Sequence, residues 1–152
     1  MDADSLIKIT KAGLKEFVVS HYSIFIPKIV EIEVVDYGII KKMPDAFLVK
    51  ENITRKKISV LRTKKNYPDG DTALQKEFSK KKFDAVSTDD SKLIRFLGSQ
   101  NIPYILPAVL IYKLGIEKKI SPKEGSRHLS RLKPFISPEE FSTVKMLMER
   151  RL

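Results

Sequence analysis

The chain contains no cysteine. That absence removes zinc–thiolate sites, thiol nucleophiles and a disulfide framework together, and it suits a reducing cytoplasm. Only His21 and His128 supply imidazole. They stand far apart with no third nitrogen or sulfur ligand, so they read as surface or interface side chains. The six glycines are scattered and no GxxxxGK run occurs, which disfavours a phosphate-cradling loop and nucleotide-dependent transfer. No serine sits in a nucleophile elbow. No apolar run approaches the roughly 18–20 residues that span a bilayer. The start, Met1-Asp2-Ala3-Asp4-Ser5, is acidic where a secretory leader would be basic. The expectation is a soluble cytoplasmic protein with no membrane partner.

What the chain does have is positive charge. It carries 29 Lys and Arg against 19 Asp and Glu, a net +10 over 152 residues, with a pI near 9.7. A field of that sign draws in polyanions, and nucleic acid gains further from counterion release at each neutralised phosphate. A lysine-rich surface that only keeps a protein soluble has the same composition, so charge alone does not choose between the two. The hydrophobic fraction, 42%, is enough for one core, and a domain of this length buries about 70% of its unfolded surface. One domain spanning residues 1–152 is expected.

Helical and strand signals alternate along the chain. Leu6, Ile9, Leu14, Phe17 and Val18 recur at helical intervals and predict a first helix over Ser5–Val19. Ser23–Pro27 is a β-branched and aromatic run closed by proline, read as a strand, and a helix follows from Pro27. Pro44–Asn52 reads as a helix, Ile58–Leu61 as a strand, and Tyr67–Asp71 as a loop leading into a helix that ends at Lys80-Lys81-Lys82. Asp84–Thr88 reads as a strand, Asp89 or Asp90 as the next helix cap, and Ile102–Ile105 as a short strand. Pro107 opens an apolar helix, while Ser121-Pro122 and Ser137-Pro138 read as N-caps followed by proline. Ser137 with Glu140 forms a capping-box pattern. Strands separated by helices predict βαβ units and a parallel sheet.

In such a sheet the site forms beyond the carboxyl ends of the strands. Acids fall there repeatedly: Asp2 and Asp4 before the first helix, Glu31 and Glu33 after the first strand, Asp69 and Asp71 after the second, Asp89 and Asp90 after the third. Taken singly, an Asp at a helix start is ordinary capping chemistry. Glu31 and Glu33 differ by two positions, so at most one joins a given cluster on a regular helix. The recurrence is the informative part. Crowded carboxylates raise one another's pKa, and hard divalent ions such as Mg²⁺ or Mn²⁺ relieve that crowding through oxygen ligation. An acidic pocket ringed by Lys and Arg is the layout a phosphodiesterase needs. Among the basic clusters, Arg55, Lys56, Lys57, Arg62, Lys64 and Lys65 form the favoured RNA-contacting stretch, with Tyr67 near enough in sequence to stack on a base.

Four segments resemble PIN-domain ribonucleases of the archaeal and bacterial toxin-nuclease branch: Asp2–Ile7, Ile26–Glu33, Gly70–Leu74 and Ala85–Asp90. The resemblance implies an α/β fold of three layers, α/β/α, with a parallel sheet of four or five strands. It implies Mg²⁺- or Mn²⁺-dependent endoribonuclease activity, a homodimer, and an antitoxin partner if the chain is the toxin of a toxin–antitoxin pair. Carried over residue by residue, its catalytic and metal-holding acids are Asp2, Glu33, Asp71 and Asp89, with Asp90 as a further metal ligand. In the family a full hydrophobic strand precedes the first Asp, where here there is only Met1, and Asp4 replaces a small polar residue. The expected function is cleavage of RNA phosphodiester bonds. The alternative is a catalytically inactive PIN-like module that binds RNA or protein.

Overall fold

The computed structural model describes residues 1–62, 67–80 and 83–151. Its elements follow the chain as α1 (Ala3–Lys11), α2 (Lys15–His21), β1 (Ile24–Pro27), α3 (Lys28–Glu31), a π-helical segment (Ile32–Asp36), α4 (Tyr37–Ile40), α5 (Pro44–Thr54) and β2 (Ile58–Leu61). Then come α6 (Gly70–Phe78), β3 (Val86–Ser87), α7 (Ser91–Ser99), β4 (Tyr104–Ile105), α8 (Pro107–Ile116), α9 (Pro122–Leu132), a 3₁₀ turn (Lys133–Phe135) and α10 (Pro138–Arg151).

The expected three-layer fold around a four- or five-stranded parallel sheet does not form. Of the described residues 66% are helical and 8% are in strands, so helices carry the architecture. The strands make two separate parallel pairs, β1 with β2 and β3 with β4. Ile24 stands opposite Ile58 in one pair and Val86 opposite Tyr104 in the other. The physical reason lies in strand length. The run Asp84–Thr88 yields only two paired residues and Ile102–Ile105 only two, too few to propagate a ladder. Among the described residues the dipeptide Met1–Asp2 links the pairs through backbone: the Met1 amine donates to the Phe25 carbonyl, and the Asp2 N–H to the Ser87 carbonyl, each at 3.0 Å.

The core is divided in the same way. A large cluster holds Leu6, Ile9, Leu14, Ile26, Ile58 and Leu114 among others. A second, smaller one holds Leu74, Val86, Leu93 and Leu97 and is distinct from the first. Each fully buried aliphatic side chain contributes about 1.5–3 kcal/mol relative to exposure, so both clusters are needed to hold their own strand pair.

The helix expected over Ser5–Val19 is broken at Gly13. Leu14 N–H bonds to the Ile9 carbonyl and Gly13 N–H to the Thr10 carbonyl, a Schellman closure whose left-handed residue is Gly13, φ +66°. A Cβ there would also strike the Arg131 guanidinium, which donates to the Gly13 carbonyl at 2.8 Å. The reciprocal capping box occurs at Ser121 and Glu124. At Ser137 it is only half made: the hydroxyl accepts from Glu140 N–H, but the Glu140 carboxylate reaches instead to the Ala108 N–H at 2.8 Å. Among the described residues no helix is long and apolar enough to cross a membrane.

Candidate functional site

Parallel pairing puts the ends of β1 and β2 side by side, and likewise those of β3 and β4. Met1–Asp2 ties the two ends together. Asp2 caps α1, its carboxylate accepting from Ser5 N–H at 2.8 Å. A hydrogen bond from Thr88 holds it further. Thr88 is fully buried, and its hydroxyl also accepts from the Asp90 N–H at 3.1 Å. One threonine thus joins the start of α1 to the start of α7. Asp2 is 5% exposed. Burial pushes its carboxyl above the ordinary aspartate range, and the Thr88 and Ser5 hydrogen bonds pull it back.

Glu33 lies in the π-helical segment. Single-turn π segments shift the phase of the helix and recur at functional sites. Here Glu33 turns toward α6, where its carboxylate receives a backbone hydrogen bond from Gly70. Glycine suits that position because a Cβ would sit 3.1 Å from Glu33 Oε2. Glu31 takes the other direction and pairs with Lys28 at 2.7 Å. Burial raises the Glu33 carboxyl, and so do the charges of Asp71, Asp69 and Asp2. The Asp71 carboxyl is likewise raised, first by burial and then by Asp90, Asp2 and Asp69, with Lys92 opposing. Asp69 caps α6 through Thr72 N–H at 2.7 Å, which keeps its carboxyl below the usual range.

Asp2, Glu33, Asp69, Asp71 and Asp90 therefore form one electrostatic neighbourhood, in which the aspartates act on the Glu33 and Asp71 carboxyls. Asp89 is directed elsewhere. Its carboxylate is bound by the Lys8 ammonium at 2.5 Å, and the same ammonium holds Asp4 at 2.6 Å. Asp90 caps α7 through Leu93 N–H at 2.6 Å. Sequence reasoning missed three residues here: Lys8, which claims Asp89; Lys92, which faces Asp71; and the positioning role of Thr88. Lys8 had a faint signal, being four residues after Asp4 on one helix.

The basic stretch divides. Arg62 is exposed and follows β2 at the same end as the acids. Arg55, Lys56 and Lys57 precede β2, so the strand's length separates them from the acids. Arg55 pairs with Glu51 and Lys57 with Glu16, while Lys56 takes the left-handed position that closes α5, φ 57°. Lys64 and Lys65 lie outside the described residues.

The donor set is carboxylate oxygen throughout, the chemistry of Mg²⁺ or Mn²⁺. Among the described residues no three such groups stand together as a ready-made ligand cage. The arrangement suits a hydrated ion held by one or two carboxylates, the usual habit of Mg²⁺. Comparison with known protein families, with characterised proteins and with solved structures finds no match for this chain.

Proposed function

We propose that the chain is a metal-dependent endoribonuclease, the activity its resemblance to PIN-domain toxin nucleases implies, with RNA as substrate. The observation that supports it is a group of acids that share one end of the fold: burial first, and then the charges of neighbouring aspartates, raise the carboxyls of Glu33 and Asp71 in a protein of net charge +10. One or two of Asp2, Glu33, Asp71 and Asp90 would hold a hydrated cation, with the others contributing charge around it. Such an ion supplies Lewis acidity and charge for in-line displacement at phosphate. The chain's own residues do the rest. Ser5 and Thr88 fix the Asp2 carboxylate, Gly70 fixes Glu33, and the exposed Arg62 would take the phosphate backbone. Asp89 acts through Lys8 rather than as a ligand. A homodimer and an antitoxin partner belong to the same reading.

A Mn²⁺-dependent cleavage assay on mixed RNAs tests it, with chelator and the Asp71→Asn variant as controls. Asp71 does not cap a helix, so asparagine removes charge and leaves the fold. Cleavage that persists in chelator or in Asp71→Asn would end the proposal. The absence of a ready-made ligand cage among the described residues and the engagement of Asp89 by Lys8 favour a second reading, a catalytically inactive module that binds RNA or protein. RNA retention on a gel without any metal-dependent cleavage would select it.

A further inference from the structure

Helix α9 divides into two faces. Gly125, His128, Leu129 and Leu132 are buried, while Lys123, Ser126, Arg127, Ser130 and Arg131 are exposed. Lys123, Arg127 and Arg131 recur every four residues, so their side chains leave along one side of the helix about 6 Å apart. Arg131 leads onward to α1: its guanidinium donates to the Gly13 carbonyl at 2.8 Å, and the exposed Lys11 stands two residues before that glycine. Glu124 is the helix's acid, and its carboxylate is turned to the Ser121 N–H and hydroxyl.

These cations lack local counter-charges. Elsewhere the surface pairs its lysines and arginines: Lys28 with Glu31, Arg55 with Glu51, Lys57 with Glu16 and Lys113 with Glu117. Among the described residues, Lys11, Lys123, Arg127 and Arg131 have no carboxylate within ion-pair distance. The consequence is felt on the buried side of the helix. The His128 imidazole stacks on Phe17, ring centres 4.3 Å apart. Burial first, and then the charges of Arg127 and Arg131, hold its pKa below the usual histidine range, with Glu124 opposing and His21 adding to the fall.

We propose that the exposed face of α9, continued through Arg131 to Lys11, binds the phosphate backbone of an RNA strand outside the acidic site. The choice of RNA as the polyanion rests on the reading above; the residues of the surface are separate from its acids. Cations in a row meet a ligand whose charges also lie in a row, and each neutralised phosphate releases counterions. Between Lys123 and Arg131 no apolar side chain is exposed, so a lipid surface would find charge without the apolar anchor that interfacial helices use. Ser126 and Ser130 are small and leave the cations open to a continuous strand. Arginine presents several N–H donors, so Arg131 can hold the Gly13 carbonyl and still offer others to phosphate. Helix α1 sets the distance to the acids: Asp2 caps its start and Lys11 ends it, 9 helical residues or about 13 Å of axis. A strand held on α9 therefore reaches the acids within a few nucleotides. Contacts of this kind fix position and carry no sequence preference.

The test titrates a fluorescein-labelled oligouridylate with the whole chain by anisotropy, in chelator, so that binding is read apart from cleavage. Lys123→Gln, Arg127→Gln and Arg131→Gln together should weaken binding about tenfold or more and lower the slope of log K against log salt by about 2, three phosphate contacts at about 0.7 each. Lys41→Gln, Lys42→Gln and Lys50→Gln together remove the same charge from another exposed region and should change affinity less than about threefold, since salt screens charges that lie off the contact. In the native chain the His128 ring, followed by NMR, should titrate at higher pH once RNA is bound, because phosphates offset Arg127 and Arg131. If circular dichroism shows the first triple variant unfolded, Lys123→Gln with Arg127→Gln takes its place, with a slope change of about 1.4. Equal losses from the two sets, an unchanged slope or an unmoved His128 overturns the proposal. So does polyglutamate that competes as well as the oligouridylate at equal charge, which would make the partner an acidic protein. No binding of the oligonucleotide by the native chain overturns it too, and the Mn²⁺ cleavage assay still decides the nuclease reading by itself.

Discussion

Lys8, on the last turns of α1, grips Asp89 across a sequence separation of 81, with its ammonium 2.5 Å from the carboxylate. Asp4 and Asp89 together raise the pKa of that ammonium above the usual lysine range against the effect of burial. Two acids flank one cation, so Asp89 already has the partner a metal would otherwise provide. Asp89 and Asp90 are adjacent in sequence yet serve different groups.

The difference is measurable. Asp71→Asn should lower metal-dependent RNA cleavage by about 10²-fold or more, the scale of losing a charge that acts on the reacting phosphate. Asp89→Asn should cost only about 10-fold, the low end for an outer partner that positions others. Single-turnover cleavage rates at saturating Mn²⁺ compare the two. Equal losses would place Asp89 among the ligands and refute its assignment to Lys8.

The raised carboxyls of Asp2, Glu33 and Asp71 also make stability depend on pH and metal. Each is an acid whose folded pKa lies above its unfolded value, so the folded chain keeps protons that the unfolded chain has released. Their contribution to stability is greatest below the unfolded pKa and is lost as pH rises through it to the folded pKa. At neutral pH these groups work against folding. Mn²⁺ should therefore raise Tm more at pH 7 than at pH 4.5, and Asp71→Asn should be more stable than the native chain at pH 7 without metal. Thermal melts at both pH values check this; a metal response that is larger at the acid pH contradicts it.

Local features of this fold were legible in the sequence. Ile58–Leu61 is a strand because four consecutive β-favouring or small residues stand between helix-ending and basic segments, and the structure has it with those bounds. Pro107, Ser121 and Asp90 start helices as their chemistry demands. Strand pairing was not legible, because whether β1 meets β3 depends on residues some sixty positions apart, and no local pattern records that Met1–Asp2 bonds to both. The family resemblance, not helical period, selects Glu33 over Glu31. Period alone could not make that choice, because Glu33 lies in a π-helical segment whose phase shift a regular 3.6-residue period does not contain. The apolar stripe on both sides of Gly13 predicts one helix, whereas the left-handed Gly13, φ +66°, ends the first.

The basic composition has a structural use that the sequence hid. Lys42, Lys56 and Lys118 all adopt left-handed φ, between 55° and 57°. Each closes a helix in the Schellman manner; after α8, Lys118 N–H bonds to Gly115 and Lys119 N–H to Leu114. Lysine at such a site suits the helix dipole but carries a Cβ penalty that glycine avoids. Left-handed φ costs an L-residue about 1–2 kcal/mol and glycine's extra chain entropy gives back about 0.5–1 kcal/mol of that, so Lys118→Gly should stabilise the protein by roughly 0.5–1 kcal/mol, raising Tm by about 1–4 °C for a chain of this size. Lys118→Ala keeps the Cβ and should give no gain. Differential scanning calorimetry of the two variants separates backbone strain from lost charge, and equal shifts would discard the strain argument.

The Glu140 carboxylate caps α8 from another helix, accepting from the Ala108 N–H at 2.8 Å in a buried setting. Pro107 leaves that helix without a side-chain cap of its own, so α10 supplies one and is pinned to α8 by the same bond. Removing the acceptor strands a buried N–H, which costs about 1–3 kcal/mol. Glu140→Ala should therefore lower Tm by several degrees, while Glu140→Gln keeps an acceptor oxygen and should lose far less. Burial holds the Glu140 carboxyl above its ordinary pKa, with the Ala108 bond opposing and Asp89 adding to the rise. A raised acid favours the folded state below its unfolded pKa and loses that advantage as pH climbs through the folded value. The native chain should thus lose ground to Glu140→Gln between pH 4 and neutrality. Urea unfolding of both proteins across that range gives the difference directly, and a gap that widens in favour of the native chain as pH rises would show that the ionised carboxylate is the better cap.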